Sequence, residues 1–147
     1  MKKYIVVLVL LFVAVLTSCQ SNAPSSNTPG SSSQEQPADS TETSYRQISA
    51  GEAKNIMDSG EEYILLDVRT EEEFKERRIE GAILIPHDEI ESRAETELSD
   101  KGTLILVYCR SGNRSKVASS ILAELGYVNV YEFGGIETDW TYDTISG

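Results

Sequence analysis

Histidine occurs once in this chain, at His87, and cysteine twice, at Cys19 and Cys109. One imidazole and so few thiols do not supply the ligand set of a structural zinc site, and neither metal nor cofactor is expected. Basic residues are scarce as well: 13 Lys and Arg stand against 24 Asp and Glu, a formal charge of −11 over 147 residues. That balance argues against nucleic acid as a partner, which calls for a basic face. The longest apolar run, Ile5 to Leu16, holds 12 residues, whereas about 20 are needed to cross a bilayer as a helix. A permanent transmembrane span is therefore not expected.

What is there begins with Lys2 and Lys3 ahead of that run, the layout of a secretion signal. Leu16-Thr17-Ser18-Cys19 resembles the bacterial lipoprotein signal. The resemblance implies removal of residues 1–18, acylation of Cys19, and a location in the bacterial cell envelope, lipid-anchored and facing the extracytoplasmic side. An ordinary cleaved signal or a short buried helix is the plainer alternative. Residues 19–44 are rich in Ser, Asn, Thr, Pro and Gln and cannot offset their ordering entropy by burial. They are expected to form a flexible linker whose coil reach is roughly 25 to 30 Å. Residues 45–147 have the length of one compact domain. With Cys19 acylated, Cys109 has no intrachain partner and a structural disulfide is excluded.

Within the domain, hydrophobic spacing and capping residues predict alternating elements. Ser49 can cap a helix from Ala50 to Met57, ended by Gly60, and Tyr63 to Val68 is short and apolar enough for a buried strand. Thr70 and Glu73 form a capping-box pattern for a helix that stops near Arg78. Gly81 to Ile85 predicts a strand, Asp88 a cap for a helix reaching Leu98, Leu104 to Tyr108 a strand, and Ser115 to Leu125 a helix. Val128 to Phe133 predicts a last strand, followed by a helical turn near Trp140. Strands alternating with helices give an α/β domain with a central parallel sheet of about five strands flanked by helices on both faces.

Ligands of such sheets bind beyond the carboxyl ends of the strands. Cys109 lies there, followed by Arg110, Ser111, Gly112, Asn113, Arg114 and Ser115, and Asp67 and Arg69 end a second strand. A thiolate is the reactive form of cysteine, and helix N-termini and arginines lower its pKa. If Ser111 to Ser115 wrap the thiol, their amides make an anion cradle to which Arg110 and Arg114 add charge. Asp67 and Arg69 are as readily a brace at the strand end as a catalytic pair. His87 reads as a surface or helix-start residue, and Trp140 as core or pocket wall.

Asp67-Val68-Arg69-Thr70, Gly81-Ala82-Ile83-Leu84-Ile85-Pro86 and Cys109 to Ser115 resemble, in order, three motifs of the single-domain rhodanese-like sulfurtransferases. Arg78 stands where that family often has histidine, Leu84 replaces a common asparagine, and Trp140 falls about one residue late after Gly135. The resemblance implies catalysis by Cys109, with binding by Arg110, Ser111, Gly112, Asn113, Arg114 and Ser115 and support from Asp67 and Arg69. Sulfane sulfur would pass from a small anionic donor, thiosulfate or a persulfide, through a Cys109 persulfide to cyanide or a thiol acceptor, which a protein could supply. Two other readings stay open: a non-enzymatic sulfur carrier or partner-binding module, and a related cysteine phosphatase or arsenate reductase. Arg114 is the fifth residue after Cys109, whereas those phosphatases place arginine sixth. One residue fewer shortens the loop by roughly 3.5 Å of contour.

Overall fold

A computed structural model describes residues 45–147. The expectations for the signal, for Cys19 and for the linker fall on residues 1–44 and lie outside the described residues.

Local sequence starts the first two helices. The Ser49 hydroxyl accepts from the Glu52 amide at 3.2 Å while the Glu52 carboxylate accepts from the Ser49 amide at 2.8 Å. This reciprocal cap satisfies amides that a helix start otherwise leaves open, and it opens α1, Ala50–Ser59. After the strand β2, Tyr63–Asp67, Thr70 and Glu73 repeat the device for α2, Glu71–Glu76. The chain continues through β3 (Ile83–Leu84), α3 (Ile90–Glu97), β4 (Leu104–Cys109), α4 (Asn113–Glu124) and β5 (Val130–Gly135). A two-residue strand, β1 (Arg46–Gln47), precedes α1 and has no counterpart in the sequence-based expectation.

Several boundaries differ from expectation. Asp88 does not cap α3; the helix opens after Glu89, whose side chain makes no capping bond. A turn closed by the Glu89 amide on the Pro86 carbonyl, 2.8 Å, starts it instead. The strand expected over Gly81 to Ile85 shrinks to Ile83–Leu84. Helix α4 begins at Asn113, before the expected Ser115. The last strand lies two residues later than expected, and Val128 is left outside it and exposed. Near Trp140 there is one hydrogen-bonded turn, in which the Asp139 and Trp140 amides donate to the Gly135 carbonyl at 2.9 and 3.1 Å.

All strand pairs are parallel, in the order β1-β5-β4-β2-β3. Successive side chains on β4 alternate between two cores, as the two-residue period of a strand requires. Ile105, Val107 and Cys109 pack with Ala94 and Leu98 near α3 and with Ala118 and Leu122 of α4. Leu106 and Tyr108 pack on the opposite face with Ala53 of α1, Phe133 and Trp140. Each large side chain buried this way contributes roughly 1.5 to 3 kcal/mol, so the middle strand is the best-anchored part of the sheet. At its carboxyl end the register slips: Val107 pairs with Glu132 but Cys109 with Gly135. The extra residue on β5 is a bulge, which bends the strand across the end of β4.

Candidate active site

Strand β4 delivers Cys109 as its last residue, 1% exposed on the face it shares with Val107. The next residues must reverse direction into α4, and Gly112 does so at φ 90°, a left-handed conformation that side chains resist. Its amide then points back and donates to the Cys109 Sγ at 3.1 Å. Strand β5 clamps the loop from the side. A Cβ on Gly135 would stand 2.3 Å from the Arg110 carbonyl oxygen and 2.5 Å from the Ser111 Cα, so only glycine permits this approach. The Ile136 and Glu137 amides donate to the carbonyls of Cys109 and Arg110 at 2.8 and 3.1 Å.

Burial pushes the Cys109 thiol up, but hydrogen bonding from the Ser115 hydroxyl and from the amides of Ser115, Ser111 and Gly112 brings it below its ordinary range. The sequence-based picture needs two corrections here. The groups that hydrogen-bond the sulfur belong to Ser111, Gly112 and Ser115, not to Asn113 or Arg114. The guanidinium groups are also engaged elsewhere. Arg114 forks onto Glu73 at 2.7 and 2.8 Å, and Arg110, exposed, faces Glu137 at 3.7 Å. The hydrogen bond from Arg114 holds the Glu73 carboxyl down at about 2. Hydroxyl and amide dipoles, rather than free arginine charge, stabilise the thiolate.

Asp67 and Arg69 form a buried pair. Asp67 Oδ2 accepts from Arg69 Nη2 at 2.7 Å, Oδ1 accepts from Arg69 Nε at 3.0 Å, and Oδ1 also takes the Arg69 amide at 2.9 Å. Arg69 Nη2 donates further to the Arg77 carbonyl, which fixes the chain leaving α2. Burial opposes the Arg69 charge, yet Asp67 hydrogen bonding and charge raise its pKa. Beside them, burial and then the Asp67 charge push the Tyr108 phenol well above its usual range. The Tyr108 oxygen instead accepts from the Ile79 amide at 3.2 Å. This geometry is that of a brace, and Arg69 also lines a cavity with Glu73, Glu137 and Trp140. Trp140 is thus wall and core together, packing on Phe133 with ring centroids 5.7 Å apart. His87 lies before α3, away from the sulfur loop, with its amide donating to the Val68 carbonyl at 3.1 Å.

One residue at the site escaped sequence reasoning. Glu132 of β5 is 3% exposed, and its Oε1 accepts from the Ser115 hydroxyl at 2.6 Å and from the Gly134 amide at 2.9 Å. The available signal was a carboxylate two residues after Val130, and so on the same strand face, in an otherwise apolar strand.

The profile of the Rhodanese-like domain family matches residues 49–141. The chain belongs to that family. It is similar to the thiosulfate sulfurtransferase PspE of Escherichia coli, 39% identical over 72 residues that span 49% of this chain and 69% of PspE. It is also similar to YrkF of Bacillus subtilis, named as a candidate sulfur carrier protein, at 34% over 102 residues; these span 69% of this chain but only 54% of YrkF. A solved structure of a rhodanese with anions from E. coli superimposes with a TM-score of 0.55 at 35% identity, covering 58% of this chain and all of that one. The rhodanese-like domain of Alr3790 from Anabaena gives 0.62 at 27% identity, covering 69% and 79%. This rhodanese-like domain therefore has the α/β fold of those neighbours and a sulfurtransferase-type family membership.

Proposed function

We propose that this chain is a rhodanese-type sulfurtransferase working through a Cys109 persulfide. The observation that carries the reading is the Gly112 amide aimed at a buried, acid-shifted sulfur at 3.1 Å. In the first half-reaction the Cys109 thiolate attacks the outer sulfur of thiosulfate, the S–S bond breaks, and sulfite leaves with the bonding pair. In the second, cyanide or a thiolate attacks the terminal sulfur, and Cys109 leaves as the thiolate it was. No net oxidation of the protein occurs, and no separate base is invoked, since the hydrogen bonds around the sulfur favour the thiolate. Amide donors that stabilise one anionic sulfur also stabilise the terminal sulfur of the persulfide. Arg114, released in part from Glu73, orients the anionic donor.

The similarity to YrkF favours one second reading, a carrier that receives its sulfur from another protein. The Cys109-to-Arg114 spacing, one residue shorter than in the related phosphatases, disfavours a tetrahedral oxyanion. The family is compatible with either sulfur chemistry, and donor, acceptor and envelope location remain parts of this proposal, the last resting on the sequence of residues 1–19. Full-length protein mixed with thiosulfate is expected to gain one sulfur at Cys109 by mass spectrometry and to produce thiocyanate when cyanide follows, with Cys109→Ala inactive in both. Equal thiocyanate formation by wild type and Cys109→Ala overturns the enzymatic assignment; sulfur gain only from a persulfide donor identifies the carrier.

A further inference from the structure

Three arginines follow the carboxyl ends of β2 and β4, and each faces a carboxylate. Arg69 is buried against Asp67 at 2.7 Å, and Arg110, more than half exposed, stands 3.7 Å from Glu137. Arg114 differs from both: its Nη1 and Nη2 donate end-on to Glu73 Oε2 and Oε1 at 2.7 and 2.8 Å, with about a quarter of each side chain open to solvent. Glu73 is held in place for this, because its Oε2 also accepts from the Thr70 amide at 3.0 Å at the start of α2. A planar anion taken bidentately is the way a guanidinium binds any oxyanion. The fork that orients the donor in the proposed reaction is thus filled by the chain's own carboxylate.

We infer that Glu73 is a specificity-determining residue, an internal competitor that an oxyanion donor must displace from Arg114 and that biases the site toward donors without an oxyanion group. The inference deepens the sulfurtransferase reading and rests on it for its consequence in donor choice. The oxygens of thiosulfate can take the end-on fork only as the carboxylate leaves it. With both anions on one guanidinium, the two negative charges of the donor would meet a third at contact distance. The exchange trades one charge-assisted pair for another, so the fork adds less to oxyanion affinity than a vacant one would. A persulfide of a plain alkyl thiol has no oxyanion to place there, and its binding leaves Glu73 on Arg114.

Glu76 separates competition from net charge. It stands on the same helix, is exposed, and lines a cavity with Glu73, Arg69 and Arg77, while the ion pair with Arg114 belongs to Glu73. Neutralising Glu76 alters the local field as neutralising Glu73 does, without vacating the fork. Glutamine at either position also keeps an amide oxygen, so Glu73→Gln retains an acceptor for the Thr70 amide and the cap of α2.

The test is sulfate binding to the full-length chain, read by isothermal titration calorimetry at constant ionic strength, for wild type, Glu73→Gln, Glu76→Gln, Arg114→Gln and the double variant Glu73→Gln with Arg114→Gln. Glu73→Gln is expected to tighten sulfate about fivefold, the upper end of what a part-exposed ion pair contributes. Glu76→Gln is expected to change it less than about twofold, because solvent and salt screen an exposed charge. Adding Glu73→Gln to Arg114→Gln is likewise expected to change it less than about twofold. Sulfate affinity unmoved or weakened by Glu73→Gln overturns the inference. So does equal tightening by Glu76→Gln, or by Glu73→Gln without Arg114, which would mark a through-space charge effect. In wild type, the Glu73 carboxylate carbon resonance is expected to shift along the same sulfate titration curve. A stationary resonance while sulfate binds puts the anion elsewhere and overturns the inference, and this measurement decides should Glu73→Gln fail to fold. In steady-state turnover, Glu73→Gln is expected to lower the KM for thiosulfate about fivefold and that for an alkyl persulfide less than about twofold; equal changes overturn the bias in donor choice. Sulfate binding requires no sulfur transfer. Variants that bind sulfate as stated in a chain that gains no sulfur from any donor overturn the sulfurtransferase reading alone.

Discussion

At the scale of single residues, Glu73 does two jobs that sequence inspection separates poorly. Its backbone-facing role, capping α2 with Thr70, was readable from a spacing of three. Its grip on Arg114, 41 residues away, was not, because a long-range ion pair leaves no periodic trace. The pair has a consequence for acid stability. Its carboxyl is held at about 2 against an ordinary 4.5, so the stabilisation is complete above pH 4.5 and is lost as pH falls from there toward 2. With both side chains about a quarter exposed, about 1 kcal/mol is expected after solvent screening. Urea midpoints at pH 6 and pH 3 are expected to differ less in Glu73→Gln than in wild type by that amount. The same limit explains Cys109 itself: its loop was legible from Gly112 and the flanking polar residues, whereas the partners of Arg110 and Arg114 decide what their charges do and come from other elements.

At the scale of elements, capping and alternation foretold most of the architecture. Ser49 with Glu52, Thr70 with Glu73, and the apolar run of β4 are local instructions, and the structure follows them. Strand β1 has no such pattern: both its residues are exposed, and only pairing with Tyr131 and Glu132 makes it a strand. The start of α3 failed for a related reason, since a proline turn, not a side-chain cap, sets it. Helix α4 carries one further oddity. Ser119 is fully buried and its hydroxyl has no hydrogen-bond partner among the described residues. An unpaired buried polar atom costs about 1 to 3 kcal/mol, so Ser119→Ala is expected to raise the urea midpoint by about 1 kcal/mol equivalent with sulfur transfer unchanged, and a lowered midpoint would contradict this account.

At the scale of the whole molecule, the charge of −11 opposes a dianionic donor. Repulsion of this kind lowers encounter rates and is screened within about 10 Å at 0.1 M salt. The kcat/KM for thiosulfate is accordingly expected to rise between low and moderate ionic strength, while that for a monoanionic persulfide donor rises less; parallel curves would remove net charge as a determinant of donor choice. The overall α/β plan was the most legible feature of all, because burial on both sheet faces writes continuous apolar strands into the sequence.

The clamp formed by Gly135, Ile136 and Glu137 also bears on biogenesis. Cys109 is made well before the strand that closes over its loop, so a nascent or C-terminally clipped chain carries the sulfur without its enclosure. The loop around Cys109 then gains its last backbone hydrogen bonds only when the final stretch has docked, and its closure doubles as a report that synthesis has run past residue 137.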